Sequence, residues 1–362
     1  MTADLTSGQT AQAENPPILS PNSKTSGRKA TIRDVAREAQ VAISTISRFL
    51  NRSGYVDGET GRRIASAVQV LDYFPTRAAQ TLKSRKSRQV MLVVPDIGNP
   101  FYSEMAKVVQ AAARDKGYVV LLYNTNESTA EELNAIRTAA ASQSDGLILC
   151  SIHVRDEIVR ALQTTGITAV LANSYEKSPY DTVHGIKGSG THIATRHLLD
   201  LGHQQIAFAG GPAGSETEIR RKYGWLKALT ESGLSCDKSL CYENDFSEQA
   251  GYAAGKYFSS LAYPPSAICC ANDLIALGVL DALSESGFRV PDQISVTGMD
   301  NIPFSHLSRP PLTTVTNDST EFGMHVSQLM FERLEGFSGA PREMIVPRKL
   351  VPRASSSICK ER

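Results

Sequence analysis

The chain has 362 residues, 41% hydrophobic and 21% charged, with a formal net charge of +1. That is ordinary globular composition, long enough for two or three domains with their own cores, and no run of about 18 apolar residues occurs, which excludes a helical membrane span. Charge is uneven, however: residues 28–88 carry 13 Lys/Arg against 5 Asp/Glu, and residues 89–362 carry 24 against 30, so the basic front segment is the part expected to meet a polyanion.

Residues 1–28 are rich in Ser, Thr, Pro and Gly and lack the basic-then-apolar pattern of a signal peptide, so a disordered tail is expected. A first helix is predicted from Thr31, whose hydroxyl can cap it while Asp34 answers three residues on. Ile32, Val35, Ala36 and Ala39 give it one apolar face. After a turn at Gln40-Val41-Ala42, a second helix directs Ile46, Phe49 and Leu50 inward and leaves Ile43, Ser44, Thr45, Ser47 and Arg48 largely outward. A third pattern from Glu59 has Ile64, Ala67, Val68 and Leu71 inside, Arg62 and Arg63 outside, and a stop at Pro75. Three short helices with a tight first turn form helix-turn-helix geometry, and a face of hydroxyls and Arg suits phosphates and guanine edges. A plain helical hairpin has the same apolar pattern. A short helical turn, Thr76 to Leu82, and a basic linker follow.

From Val90 onward the pattern becomes repeated βα units, with apolar strands such as "VMLVVPD", "DGLILCS", "QIAFAGG" and "ISVTGMD". Such units imply parallel sheets covered on both faces, with ligands beyond the carboxyl ends of the strands. No phosphate loop, dinucleotide fingerprint, H-E-x-x-H or nucleophile elbow occurs, so the chain is expected not to be an enzyme. "GGPAG" reads as a tight turn, His203 as a structural turn histidine and Trp225 as core. The six Cys include no C-x-x-C pair, which predicts buried reduced thiols rather than zinc or disulfides. No cofactor or metal is expected. Asp300 and Asn272 end strands, and Arg221 follows a βα turn on a helix. Together with Phe101, Tyr102 and Phe246 they offer acceptors, donors and apolar faces to a small ligand.

The run Thr31, Asp34, Val35, Ala36, Ala39, Val41, Thr45, Ser47, Arg48 and Asn51, followed by Tyr73, Pro75, Ala79 and Leu82, closely resembles the lactose-repressor and purine-repressor family of bacterial transcription factors. "VVPDIGNPFYSEM", "HLLDLGH", "RRKYGW" and "ANDLIALGVLDALSESGFRVPDQISVTGMD" extend the resemblance over about residues 30–356. Four positions depart from the family pattern. Gln40 stands for the turn Gly, Ala42 for a Ser, and Ile186-Lys187 for an Asp-Asn pair.

The resemblance implies an α/β regulatory domain of periplasmic-binding-protein type, built of two parallel-sheet subdomains, behind an all-α N-terminal helix-turn-helix DNA-binding domain. The expected layout is a tail (1–28), the DNA-binding domain (29–75), a hinge helix and linker (76–88), a ligand-binding and dimerisation domain (89–356) and a C-terminal tail (357–362). Within that domain the N-subdomain takes 89–185 and 317–346, and the C-subdomain takes 186–316 and 347–356. Carried over by position, Ile43, Ser44 and Arg48 face base edges, while Thr31, Thr45, Ser47, Asn51 and Thr60 hold phosphates. Tyr55 joins the DNA-contacting set, and Leu82 wedges into the minor groove. Phe101, Tyr102, Arg221, Phe246, Asn272 and Asp300 match effector-contacting positions.

The expected protein is a cytoplasmic homodimeric repressor of a near-palindromic double-stranded DNA operator, controlled by a small effector, a sugar or sugar derivative. No leucine-heptad tail argues for a tetramer. The alternatives are a purine-responsive repressor of the same family and a periplasmic-type sugar-binding transport protein, which would carry a signal peptide and no basic front module.

Overall fold

The computed structural model describes residues 29–51, 54–74, 86–153, 156–172 and 178–360. They fall into two compact units that divide between Gln80 and Thr81.

The described residues of the first unit form helices α1 (Ile32–Ala39), α2 (Ile43–Asn51) and α3 (Gly58–Val70) around a core of Val35, Ala39, Ile46, Ile64, Ala67 and Tyr73. Thr31 and Asp34 form the expected capping box, with the Thr31 amide donating to Asp34 Oδ2 at 2.9 Å and its hydroxyl at 2.7 Å. Gln40 adopts the left-handed conformation (φ 51°, ψ 46°) where the family has Gly. The Gln40 and Val41 amides turn back to the Arg37 and Ala36 carbonyls, a Schellman closure. Arg63 from α3 then donates Nη2 to the Ala39 and Gln40 carbonyls at 2.5 and 3.2 Å, holding a turn that strains a residue with a Cβ. Arg63, exposed as expected, thus also serves the turn. The third helix also ends earlier than the expected Pro75. Asp72 turns left-handed (φ 44°) and Tyr73 N–H reaches Val68 O at 3.0 Å, so a second Schellman closure stops α3 at Val70.

The second unit contains two six-stranded sheets. The first has the order β11-β5-β4-β3-β1-β2, from β1 (Gln89–Val94), β2 (Val119–Asn124), β3 (Gly146–Cys150), β4 (Thr168–Ala172), β5 (Asp181–His184) and β11 (Glu343–Ile345). The second has the order β12-β10-β9-β8-β6-β7, from β6 (Ile206–Gly210), β7 (Cys241–Glu243), β8 (Ala267–Cys270), β9 (Ser295–Asp300), β10 (Thr313–Thr316) and β12 (Leu350–Val351). All pairings are parallel except β10 with β12. The central strands are buried throughout, apart from the half-buried Gln89 that opens β1, as sheets covered on both faces require.

Helices α4 (Pro100–Asp115), α5 (Thr129–Ala141), α6 (Asp156–Thr165) and α11 (Ser319–Leu334) belong with the first sheet, and α7 (Ser189–Asp200), α8 (Glu216–Glu231), α9 (Glu248–Ser259) and α10 (Asp273–Glu285) with the second. The chain passes between the sheets three times: after β5, between β10 and α11, and between β11 and β12. In each sheet the strand order reverses once, between β1 and β3 and between β6 and β8, and such switch points open crevices at the carboxyl ends of the strands.

Trp225 is fully buried, stacks on Phe208 at 5.3 Å and donates Nε1–H to Ile206 O. His203 is buried among Ser266, Ser295 and the Ser357 carbonyl, a structural role. All six Cys are free, but only Cys150, Cys269 and Cys270 are buried. Cys236 is exposed, and Cys241 and Cys359 are part-exposed, because Cys236 and Cys359 lie outside the strands and Cys241 opens the edge strand β7. No described helix is long and apolar enough to cross a membrane.

Candidate nucleic-acid interface and effector cleft

On α2 the buried Ile46 faces the core, while Ile43, Ser44, Arg48 and Asn51 are exposed on the other side and Thr45 and Ser47 are half-buried. The helix carries no acidic residue in its first turn, and Ala42 before it has no side-chain acceptor, so its leading amides are not capped from that side chain. Asn51 Nδ2 donates to Ser47 O at 2.8 Å and to Ser47 Oγ at 3.2 Å, which fixes both side chains along one ridge. Tyr55 stands 90% exposed ahead of α3. Asp57 caps α3 by accepting the Thr60 amide, and that bond holds its carboxyl below the usual range. Thr31 spends its hydroxyl proton on Asp34, so in this geometry its side chain holds the start of α1. Leu82 lies outside the described residues.

The second unit brings all six expected effector residues to one cleft, with about 950 Å³ of empty space open to solvent. The carboxyl ends of β1, β3, β8 and β9 line it, as the switch-point rule requires. Phe101 is nearly buried at the start of α4 and stands edge-on to Tyr102 and Phe322 at 5.0 and 5.6 Å. It is therefore both core and cleft wall. Burial pushes the Tyr102 hydroxyl well above its ordinary range, so it stays a neutral donor. Phe246 lies under the Arg221 guanidinium at 4.9 Å. Its ring rests on Gly211, where a Cβ would come within 2.1 Å of it. The "GGPAG" turn is thus glycine-rich for a second reason: bare backbone seats an aromatic wall.

Asn272 caps α10, accepting the Ile275 amide at 2.8 Å, and donates Nδ2 to Phe246 O at 3.1 Å. Most of its polar capacity therefore positions Phe246. Asp300 ends β9 with a strained backbone (φ 109°). Its Oδ1 accepts from Asn317 at 3.3 Å and lies 3.7 Å from Arg221 Nη2. Burial raises the Asp300 carboxyl, against the opposing pull of Arg221 and Arg348.

The structure adds residues that the sequence reading lacked. Arg348, Asn317 and Glu127 line the same cleft. Burial, with Asp245 and Asp96, pushes the Glu127 carboxyl up to about 7. Asp273 lies fully buried next to Asn272 and accepts Ile302 N–H at 2.9 Å, Ser305 Oγ–H at 2.5 Å and Thr314 Oγ1–H at 2.5 Å. It therefore anchors the segment that follows Asp300. Among the described residues no His/Cys/Asp/Glu group has the makings of a metal site.

Residues 31–76 match the family model for bacterial regulatory proteins, lacI family, and residues 195–356 match a periplasmic binding protein-like domain. The HTH-type transcriptional repressor PurR of Mannheimia succiniciproducens is 30% identical over 318 residues, covering 87% of this chain and 95% of that protein. The chain belongs to the lacI family of bacterial regulatory proteins. Among solved structures, this LacI-family protein resembles the Lac repressor dimer bound to operator and the anti-inducer ONPF (27% identity, TM-score 0.81, covering 91% of this chain and all of that one). It also resembles the transcriptional regulator CelR–cellobiose complex (27% identity, TM-score 0.69, covering 90% and 99%). Family membership makes it a DNA-binding transcriptional repressor and not an enzyme.

Proposed function

We propose that this protein acts in the cytoplasm as a homodimer on a near-palindromic operator, and that a sugar or sugar derivative in the cleft sets its affinity for that operator. The observation that carries the DNA half is the α2 surface: Ile43, Ser44 and Arg48 stand exposed on one side of a helix whose other side is locked by Ile46. Arg48 reaches a base edge, whereas Thr45, Ser47, Asn51, Tyr55 and Thr60 hold backbone phosphates. Two-fold symmetry of the dimer is mirrored in the operator.

Two substitutions test this half. Arg48→Ala should weaken operator binding by roughly 1–3 kcal/mol and relax preference at one base pair, whereas Thr45→Ala should weaken all sequences alike. Anisotropy titrations on operator and scrambled DNA separate the two, and an equal loss for Arg48→Ala on both would remove its base-reading role. Leu82→Ala should reduce operator bending in a gel-phasing assay while effector affinity holds, because a wedge that unstacks a base step is what kinks the duplex. Unchanged bending would refute the wedge.

For the effector half, Asp300 supplies acceptors to hydroxyl groups, Arg221 a donor fork, and Phe101, Tyr102 and Phe246 apolar faces, a pairing that suits a sugar. A closing cleft shifts one sheet against the other across the three crossings and carries the signal to the hinge. The second reading is a purine effector, favoured by the relative's name, PurR. Calorimetry with the purified chain decides: purine bases binding, with no sugar, polyol or sugar acid doing so, would replace the sugar reading.

A further inference from the structure

Two guanidinium groups, Arg221 and Arg348, pull electrostatically on one carboxylate of the cleft, Asp300. Arg348, from the crossing between β11 and β12, projects into a cradle left by Gly185, where a Cβ would lie 2.6 Å from its Cζ, Nε and Nη2. Its Nη1 makes only long contacts, 3.5 Å to Ile186 O and 3.5 Å to Ser189 Oγ. Its Nε is buried with no partner among the described residues, as is Oδ1 of Asn317, another residue lining the same cleft. Arg221 lies 3.7 Å from Asp300, with both side chains largely buried. A buried donor without an acceptor costs its full desolvation, about 1–3 kcal/mol and more for a charged group.

The surrounding charges do not close this account. Arg220 is taken by Glu216 at 2.6 Å. Glu127 and Glu218, which also face Arg221, are pushed up to about 7 by burial and so offset it only in part. Burial and the repulsion of Arg221 bring Arg348 down to about 10, still cationic at neutral pH. None of these carboxylates takes a hydrogen bond from Arg348, whose Nε–H stays unused in the cleft.

We propose that Arg348 and Arg221 together take an oxyanion of the effector, so that the ligand is an anionic sugar bearing a carboxylate or phosphoryl group rather than a neutral one. This rests on the reading that the cleft takes the effector. A planar fork matches either oxyanion and supplies the acceptor that Arg348 Nε lacks, while Asp300 remains for the hydroxyls.

The full chain is melted in sodium acetate and in sodium sulfate against sodium chloride at matched ionic strength. Wild type should rise by about 2–4 °C over chloride, by mass action on the folded state. Arg348→Met should lose at least half of that rise, and its DNA-binding unit, being unchanged, cancels in the comparison. Gly185→Ala, which puts a Cβ where the guanidinium lies, should lose it too and carries the test if Arg348→Met does not fold. A larger effect of acetate assigns a carboxylate, and a larger effect of sulfate a phosphoryl group. No rise in wild type, or an equal rise in Arg348→Met, overturns the assignment. Calorimetry with glucose, glucuronate, glucose 6-phosphate and adenine then separates the two levels. Glucose binding wild type and Arg348→Met alike leaves the cleft in place and overturns the anion. Adenine binding both alike, with no sugar bound, overturns the sugar reading as well as the anion.

Discussion

Asp300→Ala is expected to abolish the effector response while operator binding persists. The carboxylate is nearly buried at the end of β9, touches Asn317 and Arg221, and is the only acid on that strand end. Asn272 offers no replacement acceptor, because its Oδ1 already holds the Ile275 amide. Truncation thus leaves ligand hydroxyls unpaired and removes a hydrogen-bond partner that carries charge. Effector affinity should fall about 100-fold, roughly 3 kcal/mol. Small oxyanions such as acetate have no hydroxyls and should escape this loss. The DNA-binding unit has its own core of Val35, Ala39, Ile46, Ile64, Ala67 and Tyr73, which the substitution does not touch. Anisotropy of labelled operator, titrated with the ligand that calorimetry identifies, reads both outcomes at once. A response at unchanged ligand concentrations would place the effector elsewhere.

The three front helices were legible because Val35, Ala39, Ile46, Ile64 and Ala67 repeat at helical spacing. The end of α3 was not, because the stop is a left-handed Asp72, and Asp gives no such signal as Gly does. Long apolar strands such as β1, β3 and β9 announced the parallel sheets, whereas β5, β7, β10, β11 and β12, of two to four residues, are too short for periodicity to mark. Phe101, Asn272 and Asp300 were reachable because strand ends and the helices after them must face the cleft. Arg348 and Asn317 were not, because they come from crossings whose placement depends on the tertiary fold. A cation at a crossing beside the cleft is the signal that would have pointed to Arg348. For Asp273 the signal was an acid directly after a capping Asn and before the apolar run "LIALGVL".

Asp273→Ala is expected to unravel the Asp300 segment from beneath. The carboxyl group is fully buried and accepts three hydrogen bonds, from the Ile302 amide and from the Ser305 and Thr314 hydroxyls. Alanine leaves all three donors in a cavity, and even with the hydroxyls turned elsewhere the cost is about 3 kcal/mol. Effector affinity should fall with it, since Ile302 and Ser305 fix the chain just after Asp300. Asp273→Asn should behave differently. Its Oδ1 can still take the Ile302 amide, while Nδ2 donates to Thr314, whose hydroxyl can accept instead. The contrast has a pH signature. Burial, then the neighbouring Asp300, pushes the Asp273 carboxyl up to about 7, above its ordinary 3.8. Between about pH 4 and pH 7 the folded chain therefore holds a proton there that the unfolded chain has released. Linkage then makes this group's contribution to stability fall as pH rises through that window. Asparagine does not titrate, so urea melts at pH 5 and pH 7.5 should show Asp273→Asn gaining on wild type at the higher pH, while Asp273→Ala is destabilised at both. If the two variants lose equal stability and equal effector affinity, the hydrogen bonds to Asp273 do not hold the effector segment.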